Sequence, residues 1–159
     1  MIDLTAQRHF TDVVIHWLDL EEGYRVVLKD MARDAVLAAL PTAEFGDSKN
    51  GLPSALGNAI FAKLKESMPP LGGLWGDLLC NAFNSIETEA VAEHYLKTIE
   101  VHALVADSGA TQMFLSLGEV CEAVNRLFES PKQAETVLQV LKPGSKFKVR
   151  NTLYTYLME

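Results

Sequence analysis

SLGEVCEAVNRLFESPKQAETVLQVLKPGSKFKVRNTLYTYL, residues 116–157, is the stretch on which the reading of this chain turns. Ser116 stands three residues ahead of Glu119, the spacing of a capping box, and opens a helix whose Leu117, Val120, Cys121, Val124 and Leu127 fall on one face. Ser130-Pro131-Lys132-Gln133 repeats that grammar with a cap, a first-turn proline and a Gln at the third position. The helix it starts turns Ala134, Val137, Leu138 and Leu141 inward and ends at Pro143-Gly144. Lys146-Phe147-Lys148-Val149-Arg150 then alternates charged with apolar residues, the period of a half-buried strand. Asn151 is placed to turn the chain. Thr152 to Leu157 is β-prone by composition, yet Leu153, Tyr156 and Leu157 also fit i, i+3, i+4. Periodicity therefore leaves residues 146–157 open between a hairpin and a helix.

Upstream, helical spacing dominates. Asp3 is placed to cap a first helix with Phe10, Val13, Val14, Trp17 and Leu18 on its apolar face, which puts Trp17 in the core, and Glu21-Glu22-Gly23 ends it. A second helix runs from about Tyr24 to Leu40, with Val27, Leu28, Met31, Ala35 and Ala39 inward, until Pro41 stops it. Residues 42–51 have no period and read as a mobile surface loop. Pro53 suits the first turn of a third helix, with Leu56, Ile60 and Leu64 at i, i+4, i+8, ending before Met68-Pro69-Pro70. Leu71 to Gly76 reads as a turn into a fourth helix that buries Leu78, Leu79, Ala82, Phe83 and Ile86. A fifth helix is expected over Glu87 to Ala106, with Val91, Tyr95, Ile99 and Ala106 inward, closed by Asp107-Ser108-Gly109. Residues 111–116 fit either a short strand or an irregular link.

The expected fold is thus a mainly α, single-domain bundle of six or seven helices, ending in a winged-helix-like basic β-hairpin or a further helix. It spans residues 1–159 as one globular domain, with an acidic helical body over 1–108 and a helix-turn-helix plus basic hairpin over 109–159. Each helix has one stripe to bury, as layer packing requires. With 159 residues, 48% of them hydrophobic and 22% charged, the chain holds enough apolar material for a core without disulfides or metal.

Charge is segregated. From Ser130 onward, Lys132, Lys142, Lys146, Lys148 and Arg150 face only Glu135 and Glu159, whereas the whole chain carries a net charge of −7. An acidic body with a small cationic end meets partners through one of those surfaces, because long-range fields govern encounter and partner choice. Cys80 and Cys121 have neither CxxC spacing nor a His cluster, and read as buried thiols of a reducing compartment. The N-terminal residues lack the basic and apolar runs of a signal peptide, and no segment has the length of a membrane span, so the expected location is cytoplasmic, away from membranes.

Chemistry-bearing motifs are sparse. His9, Asp12, His16 and Asp19 share one side of the first helix, and His94 and His102 lie further on. Imidazole and carboxylate suit zinc or iron, but HExxH, paired ExxH and HxH patterns are all missing, and a solvated stripe explains the four residues better. There is no GxSxG elbow, and Gly72, Gly73 and Gly76 lack the GK[ST] of a phosphate loop. The expectation is a protein that is not an enzyme and needs no cofactor or metal.

What remains is recognition. The order of strand, helix, turn, helix and basic hairpin resembles in outline a winged helix-turn-helix, which implies Lys146, Lys148 and Arg150 on phosphates. Against it, the reading helix would offer only Lys132, Gln133, Thr136 and Gln139, with Glu135 beside them, and a polyanion repels an acidic body. Trp75, which follows Pro-Pro-Leu-Gly-Gly-Leu and precedes Gly76, is open to two readings: an anchor in a partner's pocket, or packing onto the protein's own body, which is the commoner fate of such a residue. A non-catalytic adaptor, subunit or inhibitor docking on a protein is therefore the leading expectation, with Trp75, Lys142, Lys146, Lys148 and Arg150 as its contact residues. A winged-helix nucleic-acid regulator is the alternative, and a small metal-dependent enzyme is the third reading.

Overall fold

The computed structural model describes residues 4–159, with side chains from Gln7 onward; Asp3, the expected first cap, lies outside the described residues. The elements are α1 (Leu4–Leu20), α2 (Glu22–Ala39), α3 (Leu52–Glu66), α4 (Gly73–Asn84), α5 (Thr88–Leu96), β1 (His102–Ala106), β2 (Thr111–Phe114), α6 (Leu117–Leu127), α7 (Pro131–Leu138), β3 (Lys146–Val149) and β4 (Thr152–Met158). Mainly α is correct, with a small antiparallel sheet added. The chain divides into two compact units, residues 1–36 with 49–99 and residues 37–48 with 100–159.

The first unit is helical. In α3, Leu56, Gly57, Ile60 and Leu64 are buried, and α5 opposes them with Val91, Ala92, Tyr95 and Leu96. Gly57 permits backbone contact: a Cβ there would lie 2.8 Å from the carbonyl carbon and oxygen of Thr88. Thr11 ties α1 to the start of α5. Its hydroxyl donates to the Gln7 carbonyl at 3.1 Å and accepts the Glu87 N–H at 3.0 Å. Further along, His94 of α5 meets the Asp19 carboxylate at 2.8 Å.

Trp17 corrects the sequence reading, for it is 60% exposed. Thr11 and Leu18, seven residues apart, define the buried line of α1, and Trp17 stands one residue, or about 100°, off it. In α2 the buried line is Leu28, Ala32 and Val36.

The second unit packs α6 and α7 on one face of the sheet. Strand order is β2-β1-β4-β3, every neighbouring pair antiparallel. The core joins Leu104, Phe147, Val149 and Tyr156 of the strands to Val120, Ala123 and Val124 of α6, with Val137 and Leu138 of α7 against them. Ser116 accepts the Glu119 N–H at 3.2 Å and Glu119 accepts the Leu115 N–H at 2.9 Å, so the capping-box spacing does its work.

Two further expectations are corrected here. The helix over 87–106 stops at Leu96, and His102–Ala106 is instead the inner strand of the sheet. Ladder pairing on both edges outweighs helical spacing, and Asp107-Ser108-Gly109, with Gly109 at φ 89°, is the β1–β2 turn rather than a helix cap. The segment over 42–51 is tied down: Ser48 is buried, its hydroxyl donates to the Glu159 carboxylate, and the Gly46 N–H reaches the same group at 2.6 Å. Residues 111–114 are a strand, and 146–158 form a hairpin. Among the described residues no helix is long and apolar enough to cross a membrane.

Candidate docking site

In the second unit the turn between α6 and α7, the outer side of α7 and the end of β3 enclose a groove of about 440 Å³. Its floor is apolar, made by Leu127, Phe128, Val137 and Val149, and its rim carries Glu129, Gln133, Thr136, Lys148 and Arg150. Phe147 holds the floor in place, stacked on Tyr154 at 5.6 Å and tilted against Phe128 at 6.2 Å.

The rim is shaped by the β3–β4 turn. Val149 pairs with Thr152, leaving Arg150 and Asn151 as a two-residue connection. Arg150 sits at φ 55°, a left-handed conformation that suits the twist of a tight hairpin but costs a non-glycine residue about 1 kcal/mol. Its guanidinium pairs with the Glu129 carboxylate on the α6–α7 turn. Both partners are largely exposed, so the pair contributes about 0–1 kcal/mol and yields readily to a competing anion.

Register fixes the backbone of this rim as well. In a two-residue hairpin the closing pair exchanges both hydrogen bonds, so Val149–Thr152 and Phe147–Tyr154 are bonded pairs. The Tyr156 N–H donating to the Ser145 carbonyl at 2.9 Å keeps the same parity. Lys146 and Lys148 therefore direct N–H and C=O away from β4, towards the open edge of the sheet. β3 is the last strand on that side.

Lys148 and Arg150, expected from sequence as contacts, thus share the groove, while Lys146 shares the exposed strand face with Lys148. Lys142 does not line it. That residue belongs to the α7–β3 connection, where its N–H donates to the Ser145 hydroxyl at 3.0 Å. Glu129, Phe128 and Val137 were not expected, and no local signal marks Glu129 as the partner of an arginine twenty-one residues later.

Compared with protein-family models, curated proteins and solved structures, the chain matches none. The reading of function rests on the two surfaces themselves.

The other surface is on the first unit. Trp75 is 71% exposed, and Leu71, Leu74 and Leu78 beside it are at least half as open. On α4 Leu74, Trp75 and Leu78 occupy one arc, with Leu71 just ahead of the helix, while Leu79 and Phe83 form the adjoining, half-buried arc, with Phe83 against Phe61 of α3 at 4.8 Å. Of the five residues expected inside, Leu78 is outside and only Ile86, just beyond the helix, is fully buried. Gly76 makes the arc compact, since a Cβ there would lie 2.4 Å from the Leu71 carbonyl oxygen folded over it. Cys80 is exposed on the polar side, not buried as expected, and Cys121 is partly exposed.

The histidine and aspartate stripe of α1 disperses. His9, Asp12 and His16 are exposed, and Asp19 is taken by His94. Among the described residues no group of three or more His, Cys, Asp or Glu is placed to hold a metal ion. Two buried tyrosines stand out instead. Burial, reinforced by the Asp19 charge and partly offset by Arg25, pushes the Tyr95 hydroxyl far above the usual tyrosine value. That hydroxyl has no hydrogen-bond partner of proper geometry. Tyr156 is raised too, by burial first and then by Glu100 and Cys121, and shares a 2.8 Å hydrogen bond with His102.

Proposed function

We propose that this chain is a non-catalytic docking module that acts by binding a protein partner. The observation that carries the reading is the apolar arc of α4, on which Leu74, Trp75 and Leu78 lie open together. A contiguous exposed apolar face with an aromatic at its centre has the composition of an interface core. A tryptophan side chain brings roughly 150–250 Å² to such a contact, at about 25 cal/mol per Å² buried before the costs of association. The net charge of −7 favours a protein over a polyanion as the partner.

The test is affinity capture from the native host with the full chain as bait, wild type against Trp75→Ala and Leu78→Asp. A protein held by wild type and lost by both variants, with their circular dichroism and melting temperature unchanged, is the expected result. Retention by both variants refutes the α4 reading.

One observation favours the nucleic-acid alternative. Leaving β2 aside, the sheet runs β1-β4-β3 with α6 and α7 inserted between β1 and β3, an order that resembles a winged helix in outline and supports this reading. Lys148 and Arg150 then occupy the wing. That reading requires duplex binding that weakens steeply with salt and loses slope in the Lys146→Ala, Lys148→Ala, Arg150→Ala triple variant. We expect no such binding, because Glu129 lines the same groove as Lys148 and Arg150 and the chain as a whole is acidic, with a net charge of −7.

A further inference from the structure

We infer that the open edge of β3 accepts an extended segment of a partner protein as a fifth strand of the sheet, one that alternates carboxylate with aliphatic side chains. The inference shares with the proposed function only that the partner is a protein; it does not depend on α4.

The backbone supplies the first argument. Lys146 and Lys148 each direct an N–H and a C=O to the open side of β3, and among the described residues no strand covers them. Unpaired edge groups are a template for strand addition, in which main-chain bonds give affinity and alternate side chains give specificity. An ordinary edge strand faces open water. This one is walled on its other side by α7, so an incoming strand would lie in a groove between strand and helix, with Val137 and Val149 below it.

Side chains settle the chemistry of the occupant. On one face of the added strand the neighbours are Lys146 and Lys148, and opposite charges across a strand pair stabilise it. On the other face the neighbours are Val137 and Thr136, which suit an aliphatic residue. A carboxylate at the end nearest the turn can take Arg150 from Glu129, since that exposed pair is weak.

The same charges argue against two other occupants. A second copy pairing β3 with β3 would bring lysines from both chains together, the device by which edge strands avoid self-association. A nucleic-acid backbone would gain little from the apolar floor, on which the aliphatic residues of the added strand would lie.

The experiment uses the full chain, ¹⁵N-labelled, titrated with an acetylated and amidated peptide of alternating Glu and Val, with its Lys-Val counterpart, and with a short mixed-sequence DNA duplex. The acidic peptide is expected to shift the amide signals of Lys146, Lys148 and Val149 and to slow hydrogen exchange at the two lysines. Lys146→Glu with Lys148→Glu is expected to weaken binding by about tenfold or more. Lys148→Pro removes an outward N–H while leaving the bonded pairs with β4, as edge strands tolerate, and is expected to abolish binding. Trp75→Ala is expected to leave it unchanged, so this inference and the α4 reading fail separately. Should Lys148→Pro unfold, the charge-reversed variant and the Lys-Val peptide still decide. The inference is overturned by equal binding of both peptides, by no β3 shifts at millimolar peptide, by duplex DNA shifting the same amides, or by concentration-dependent protection of Lys148 without peptide, which would mark a second copy as the occupant.

Discussion

Gly57 and Gly23 are both helical glycines, and the same substitution is expected to act on them in opposite directions. In an exposed helical position Gly→Ala stabilises by up to about 1 kcal/mol, through restricted freedom of the unfolded chain. At Gly23 a Cβ meets nothing within 4 Å, so Gly23→Ala should deliver that gain, tempered by its place in the first turn of α2. At Gly57 the new Cβ would sit 2.8 Å from the Thr88 carbonyl carbon and oxygen and 3.1 Å from the Glu89 nitrogen. Carbon atoms rest at about 3.5–4.0 Å, so α3 and α5 must separate by roughly 0.7 Å or more, and because the obstacle is backbone no rotamer can relieve it. Overpacking costs typically about 1–3 kcal/mol. Set against a helical gain of about 1 kcal/mol, the net loss is about 0–2 kcal/mol, which for a chain of this length is a fall in melting temperature of up to roughly 8 °C. Urea unfolding followed by circular dichroism reads both variants, through the midpoint at constant slope. A Gly57→Ala protein as stable as Gly23→Ala would refute the close approach of α3 and α5.

Tyr95→Phe removes a buried hydroxyl that faces the Asp19 carboxylate without a hydrogen bond of good geometry, so the stability lost in the same urea assay is expected to be smaller than the about 1 kcal/mol ordinarily seen when a well-bonded hydroxyl is deleted. Tyr95 and Tyr156 also predict an alkaline limit. Their folded pKa values lie above the ordinary tyrosine value of 10.0, so the neutral phenols contribute stability that is fully present below pH 10 and is lost as pH rises towards the folded values. Each then adds a slope of about 1.4 kcal/mol per pH unit. Phenolate absorbance should show Tyr95 ionising only with unfolding and Tyr156 ionising later than an exposed tyrosine, and Tyr156→Phe should flatten the decline.

The sequence carried the helices where periodicity and punctuation agree. Pro53, the Ser116–Glu119 box and Pro131 each mark a true helix start. It carried the basic alternation of β3 as well, because a strand with one face on a core displays its period directly. β1 was hidden for the opposite reason: it is buried on almost every residue, so no alternation survives, and its pairing partners lie ahead of it in the chain. Trp17 was misplaced because a stripe drawn one residue too wide still looks amphipathic. Of the two candidate surfaces, the basic charge of Lys148 and Arg150 was legible, whereas the exposure of Trp75 was not decided by its neighbours in sequence. The groove was not legible, since it depends on Phe128, Val137 and Val149 meeting across separate elements.

β1 lies between β2, which follows it at once, and β4, the last of the four strands in chain order. During synthesis the first hairpin can close early, but its other edge stays unpaired until α6, α7 and β3 have all been made. That exposed strand must wait while the helices that cover it are still emerging, a delay that long-range pairing imposes on folding rate. Folding of the second unit is therefore expected to be governed by arrival of β4, and a ribosome stalled before Thr152 should hold a nascent chain whose β1–β2 hairpin is open to chaperones.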